Sequence, residues 1–187
     1  MFDRIVVTTD SELYASIAKR YGADVMMRGE ELSSDKASTF MVIEDVINRL
    51  EENYDYFTLL QPTSPLRNAS HIQEATTRFE ENLANFDFLV SMKEAEFAPV
   101  LCQPIEEDLS LKHFDTDFSN YRRQSYKYYS PNGAIYMAKP QAYLAHKHFF
   151  GAKSLAYIMN QRDSVDIDTS IDLLVAKAIL ESSPDEQ

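Results

Sequence analysis

With 187 residues, 44% apolar and 26% charged, the chain is long enough to bury a sizeable core and has an ordinary globular composition, which excludes disordered and fibrous classes. A formal net charge of −12 opposes binding to nucleic-acid phosphate or an anionic membrane surface. No apolar run reaches the length of a membrane span and the first residues lack signal-peptide regions, so a soluble, cytoplasmic protein is expected. The single cysteine, Cys102, excludes an internal disulfide and a zinc–thiolate cluster and is expected to be a buried, inert thiol.

Residues 2–7 read as a strand, because Ile5, Val6 and Val7 form a continuous β-branched run of the kind found in strands covered on both faces. Asp10 or Ser11 can cap a helix that runs to Lys19 or Arg20 and stops at Gly22. With residues 23–27 as a second strand, the chain has made a β-α-β unit, which implies a parallel pair with a right-handed crossover. The polar stretch 28–39 then connects to a helix carrying Phe40, Ile43, Val46, Ile47 and Leu50 at helical spacing.

An apolar run at 56–60 breaks into Gln61-Pro62-Thr63-Ser64-Pro65-Leu66-Arg67, where two prolines remove backbone donors and end the strand. Two readings of this loop stand side by side. One is a stiff turn leading to a helix that starts near Asn68 or Ser70. The other is a ligand loop at a strand's C-terminal edge, with an amide, two hydroxyls and a guanidinium facing an oxygen-rich molecule. A helix over 69–83 and a strand over 86–92 follow, and the strand–helix rhythm predicts an α/β fold with a mostly parallel sheet.

That rhythm fails over 93–130, which contains Pro99, Pro104, an acidic stretch (Glu106, Glu107, Asp108) and an aromatic, basic stretch at 121–129. A loop of this length inside a compact domain usually has a function or a partner. The overall charge argues against single-stranded nucleic acid; dimer contacts with anion binding by Arg122 and Arg123 suit the composition better. Residues 130–137 read as a turn with its left-handed corner at Asn132-Gly133, followed by a strand.

A helix at 140–147 ends near His146 and His148, whose expected role is to stabilise that end rather than to bind metal. Phe149 and Phe150 come next and read, from the residues alone, as core. After a strand at 154–159, residues 164–172 open the last helix, with Asp168 or Thr169 as N-cap and Asp172 as a first-turn anion. Asp166 and Asp168, two apart in an extended segment, point to one side and can share a hard cation.

Three strings carry a resemblance: Leu-Leu-Gln-Pro-Thr-Ser-Pro-Leu-Arg at 59–67, Pro-Asn-Gly-Ala-Ile-Tyr at 131–136, and Asp-Ile-Asp-Thr at 166–169 with Asp172 three residues on. Together, and in this order, they resemble the acylneuraminate (sialic acid) cytidylyltransferase family. The resemblance implies a three-layer, Rossmann-like fold of the nucleotide-diphospho-sugar transferase type with a mostly parallel sheet. It also implies that the first strand and phosphate loop, a β-α unit of about 30 to 40 residues, do not lie within 1–187. A single domain over 1–187 is expected, with 93–130 as an inserted extension for dimerisation and the sugar site.

The implied reaction joins CTP to a nine-carbon acidic sugar, giving CMP-sialic acid and pyrophosphate, with the short chain expected to be inactive alone. Alternatives are the same chemistry on another nonulosonate such as legionaminic acid, or a non-catalytic remnant or binding subunit. By the same resemblance Asp166 and Asp168 are the catalytic carboxylates and hold Mg²⁺, while Gln61 and Arg67 orient ligand. The resemblance gives the acid sugar to Arg122, Arg123, Asn132, Tyr136, Phe149 and Phe150, and the cytidine to Arg28 and Thr39. Ser130 stands where some family members have a basic residue, so Lys127 or Arg123 is expected to take over that contact. The partners implied are CTP, the sugar and a second copy of the chain.

Overall fold

A computed structural model describes residues 2–119 and 127–182. The chain forms two compact units, Met1–Phe57 with Ala138–Phe150, and Thr58–Met137 with Gly151–Gln187.

In the first unit β1 (Val6–Thr9) pairs in parallel with β2 (Asp24–Met27), and α1 (Glu12–Arg20) makes the crossover between them. Ser11 is the N-cap of α1, its side chain accepting from the Tyr14 N–H, and Gly22 at φ +83° lets the chain reverse after the helix. The strand begins later than its β-branched run suggested and extends to Thr9, because the parallel ladder with β2 spans Val6 to Thr9. A short 3₁₀ turn (Glu30–Ser33) leads to α2 (Thr39–Arg49), capped by Ser38, and α4 (Pro140–His146) belongs to the same unit. Phe40, Phe57, Tyr143 and Phe149 stack at this unit's centre, with ring centroids 4.6 Å apart for Tyr143 and Phe149. Burial among these rings pushes the Tyr143 phenol up to about 12.

The second unit holds the four-stranded sheet, in the order β3 (Phe57–Leu59), β5 (Tyr129–Ala138), β4 (Phe88–Glu94), β6 (Ser154–Ile158). β4 and β6 are parallel, with Phe88 opposite Ser154 and Met92 opposite Ile158. β5 runs against β4: Ala95 just past β4 donates to the Tyr128 carbonyl just before β5, while Ser91, four residues earlier, meets the Ile135 N–H. The sheet is therefore mixed, its reversed strand lying between β3 and β4. Its apolar core includes Phe79 of α3 (Ala69–Glu80), Phe88, Leu89, Val90, Ala134, Ile135 and Met137.

Two local features differ from the sequence reading. Asn132-Gly133 is not a turn ahead of a strand but lies inside the ten-residue β5, where Gly133 at φ +75° kinks the strand. Cys102 is exposed, because it follows a 3₁₀ turn (Pro99–Leu101) and lies outside the sheet and helices that could cover it. Among the described residues no helix is long and apolar enough to cross a membrane.

The last helix, α5 (Ser170–Glu181), is capped by Thr169, whose side chain accepts from the Asp172 N–H while the Asp172 carboxylate accepts from the Thr169 N–H at 2.7 Å and hydroxyl at 2.8 Å. These bonds, those from Thr169 first, hold the Asp172 carboxyl below the usual carboxylate range. Replacing Thr169 by Ala should destabilise the protein by about 1 kcal/mol in urea denaturation. Because the folded pKa of Asp172 lies below the unfolded value of about 3.9, its contribution is present above that pH and is lost as pH falls through the folded pKa. Asp172→Asn should therefore lower thermal stability at pH 7 and make little difference at pH 2.

Candidate active site

Three segments distant in sequence meet in the second unit. The Pro-rich loop after β3 places Ser64 fully in the interior, since the turn bond from the Ser64 N–H to the Gln61 carbonyl (3.3 Å) folds the chain back after Pro62. The segment after a 3₁₀ turn (Arg162–Ser164) runs beside that loop, the Ile167 N–H donating to the Thr63 carbonyl at 2.8 Å. The Ser64 hydroxyl lies 3.4 Å from both the Asn132 carbonyl and Asp166 Oδ1, so its single proton serves one or the other. The third segment is the kink in β5. A Cβ on Gly133 would come within 2.6 Å of Asp166 Oδ2, closer than a methyl group can approach, and within 3.1 Å of Ser64 Oγ, a tight contact.

Behind this meeting point lies a closed polar network. Asn132 is 2% exposed, and Ser64, Ser91 and Ser164 are 0% exposed. The Asn132 amide oxygen accepts from Ser91 Oγ at 2.6 Å and from the Ala134 N–H at 3.2 Å. Its amide nitrogen donates to Ser164 Oγ at 2.9 Å and contacts Met159 Sδ at 3.3 Å. Ser91 Oγ in turn accepts from the Ile135 N–H, and Ser164 Oγ donates to the Asn160 carbonyl. Every donor and acceptor of the Asn132 side chain is thus used within the protein, and the structure places this residue in the interior rather than on a ligand-facing surface.

Arg67 also turns inward, its Nη1 donating to the Ala134 carbonyl at 2.6 Å and the Gln61 carbonyl at 3.2 Å. Burial holds its guanidinium below the ordinary value. The residue therefore clamps the Pro-rich loop onto β5, and Gln61 contributes its backbone carbonyl to that clamp. Tyr136 is half-buried, and burial together with the nearby charge of Asp166 pushes its phenol up. Asp166 is half-buried and Asp168 exposed; neither caps α5, since that role falls to Thr169 and Asp172.

Arg28, Thr39, Phe149 and Phe150 belong to the first unit. In the first unit Arg28 follows β2, its N–H bonded to the Thr9 carbonyl and its Nη2 4.0 Å from Asp10. Its Nε is buried with no hydrogen-bond partner among the described residues, as are Thr8 Oγ1 and Ser33 Oγ of the same unit. Thr39 is exposed at the first position of α2. Phe149 belongs to the aromatic core of this unit, and Phe150 is 45% exposed. Lys127 is exposed, 3.7 Å from Glu94. Arg122 and Arg123 lie outside the described residues.

Sequence reasoning missed Ser91, Ser164 and Lys93. Lys93 shares a strand face with Ser91, is half-buried, and donates from Nζ to the Ser164 carbonyl at 3.3 Å. Neither Lys93 nor Arg67 has a carboxylate within ion-pair distance among the described residues, despite the chain's acidity. The alternation Ser91–Lys93, in a strand that is otherwise apolar up to its last residue Glu94, was the one available signal.

The mixed sheet with its helices is the α/β fold of nucleotidyltransferases. It superposes on a solved CMP:2-keto-3-deoxy-manno-octonic acid synthetase, complexed with CTP, with a TM-score of 0.64 over 95% of this chain and 80% of that one at 12% identity. The chain belongs to the cytidylyltransferase family, whose profile it matches over residues 1–182. It is 44% identical over 179 residues to an N-acylneuraminate cytidylyltransferase of Escherichia coli, covering 96% of this chain and 42% of that protein. It is also 29% identical over 186 residues to a CMP-N,N'-diacetyllegionaminic acid synthase of Legionella pneumophila, covering 96% of this chain and 78% of that protein. The chain thus spans well under half the length of the Escherichia coli relative.

Replacing Asn132 by Leu keeps the volume but strands Ser91, Ser164 and the Ala134 N–H in the interior. With each abandoned buried group costing roughly 1 to 3 kcal/mol, the variant should lose about 3 kcal/mol or more in urea denaturation. A loss below about 1 kcal/mol would show that the network does not hold this part of the unit together.

Proposed function

We propose that the protein takes part in the CTP-dependent activation of a nine-carbon acidic sugar, with N-acylneuraminate as the substrate and CMP-sialic acid and pyrophosphate as the products. The observation that carries this reading is the convergence of the Pro-rich loop, the β5 kink and Asp166 within hydrogen-bond distance of one another. The similarity to N-acylneuraminate cytidylyltransferase supports the choice of sugar. The weaker similarity to a legionaminic acid synthase makes a related nonulosonate the second reading.

Asp166 and Asp168 are proposed to hold Mg²⁺. Among the described residues no group of three or more metal-ligating side chains gathers anywhere. Two carboxylates suffice for this ion, which keeps water and ligand phosphates in its remaining positions, and the seat at Gly133 gives the Asp166 carboxylate a defined place. When bound, Mg²⁺ would neutralise phosphate charge and polarise the phosphoryl oxygen.

The protein's own groups do the rest of the positioning. Tyr136, half-buried beside the charge of Asp166, is proposed to line the acid sugar. Lys93 and Arg67 bring positive charge to a chain that must accept two anions. In the first unit, the unsatisfied Arg28 Nε and Ser33 Oγ support a polar ligand there, and Arg28 with Thr39 is proposed to contact the cytidine. Arg122, Arg123, Phe149 and Phe150 are proposed for the sugar. The reaction is proposed to run in the cytoplasm.

The test is pyrophosphate release from CTP with Mg²⁺ and, in parallel, N-acetylneuraminate, N,N'-diacetyllegionaminate and pseudaminate. Measured on the chain alone and on the chain joined to an N-terminal family segment, release from whichever form turns over should be greatest with N-acetylneuraminate and should fall by roughly two orders of magnitude in Asp166→Asn and Asp168→Asn. Release that ignores both substitutions would overturn the assignment of the carboxylates. A homodimer through 93–130 is also proposed, supported by the exposed Phe97, Ile105, Leu109 and Leu111 in that segment. Light scattering at micromolar concentration should give twice the chain mass, and polar substitution of Phe97 and Leu111 should halve it.

A further inference from the structure

We propose that Gly133 is a positioning residue whose missing side chain forms the seat of the Asp166 carboxylate, and that the buried Asn132 network exists to hold that seat in place. The proposal rests on the reading of Asp166 as a divalent-cation ligand.

Three observations carry it. Gly133 lies inside a strand yet has φ +75°, so the backbone adopts a left-handed conformation at a point where a ladder would otherwise continue. A Cβ there would stand 2.6 Å from Asp166 Oδ2, 3.0 Å from its Cγ and 3.1 Å from Ser64 Oγ, so the space it would take belongs to the carboxylate. The residues on either side are pinned: Asn132 by its fully used amide, and Ala134 by the N–H it gives to Asn132 Oδ1 and the carbonyl Arg67 takes at 2.6 Å. A strand fixed this firmly for packing alone would not need its one strained residue to coincide with the closest approach of a carboxylate.

The seat also explains why the carboxylate stays where it is. Asp166 sits at the free end of a short side chain in an irregular segment that is tied to the rest of the unit by the Ile167 N–H. Contact with the Gly133 backbone on one side and Ser64 Oγ at 3.4 Å on the other restricts its side-chain torsions. An added methyl at 133 has side-chain atoms of Asp166 and Ser64, and no backbone atom, as its three nearest contacts, so it should push those side chains aside and leave the strand folded.

The experiment is a Mn²⁺ titration followed by electron paramagnetic resonance of the free ion, with thermal unfolding recorded on each protein. The proteins are the parent, Asp166→Asn, Gly133→Ala, Ser64→Ala and Gly22→Ala. Gly22 has nearly the same backbone conformation, φ +83°, with nothing within 4 Å of an added Cβ, and so reports the backbone strain without the steric contact. We expect both Gly133→Ala and Gly22→Ala to lose thermal stability, Gly133→Ala the more because of its added contact, and only Gly133→Ala to weaken Mn²⁺ binding, by tenfold or more. Ser64→Ala, which leaves the backbone unstrained, should weaken it severalfold. If Asp166→Asn loses the ion while Gly133→Ala and Ser64→Ala bind it like the parent, the seat is overturned and the metal reading stands. If Asp166→Asn binds Mn²⁺ like the parent, the metal reading fails and the proposal with it.

Discussion

The side-chain amide of Asn132 joins β4, β5 and the turn after β6 in the interior of the second unit, and the placement of the candidate site follows from it. A buried amide is costly unless all its donors and acceptors are met, and here Ser91, Ser164, Met159 and the Ala134 N–H meet them. Because each partner comes from a different position in the chain, the amide is satisfied only in one arrangement of these segments. Replacing it with an apolar side chain would fill the volume without selecting that arrangement, which is the specificity a polar core group can supply. The strained Gly133 follows directly, and the Asp166 carboxylate rests on it.

Helix starts were legible because their chemistry is local. Ser11, Asn68 and Thr169 each bond the N–H three residues on, a relation visible in the sequence spacing. The strands were legible from their apolar runs, and the three motifs do meet in one unit. What could not be read was the direction in which a motif residue faces. An amide that binds a ligand and an amide that ties strands together have the same composition and spacing; Asn132 is the second kind. Arg67 presents the same difficulty, since a guanidinium beside a Pro-rich loop serves equally for an external carboxylate or for the loop's own carbonyls. The Gly133 kink was read as a turn because a left-handed residue after Pro-Asn has the same local signature at a corner and inside a bulged strand. The reversed direction of β5 was hidden for another reason: it depends on pairing with β4, on which local sequence is silent.

Charge poses a second constraint. With a net charge of −12, several cations in the chain are drawn to nearby acids, as Lys112 is to Glu106 and Arg49 to Asp45. Lys93 and Arg67 are held differently, by backbone carbonyls in the second unit. A carbonyl orients a cation while leaving its formal charge uncompensated, so these two groups keep a positive field within the second unit. An ion pair in the same place would have cancelled that field before any ligand arrived.

The groups that fix the candidate site are of a kind that cannot discriminate between ligands. Ser64, Ser91, Asn132 and Ser164 are enclosed, so they present the same scaffold whatever substituents a ligand carries, including the nonulosonate proposed above. Discrimination by one acyl group or methyl requires a side chain that the substituent can touch, and contact with such a group changes the balance by only about 1 to 3 kcal/mol. On the proposed function, selectivity between sugars falls to side chains that a substituent can reach, and the half-buried Tyr136 and the exposed Phe150 are proposed for that role. A scaffold of this type can keep its carboxylate seat and its loop clamp while the exposed positions vary.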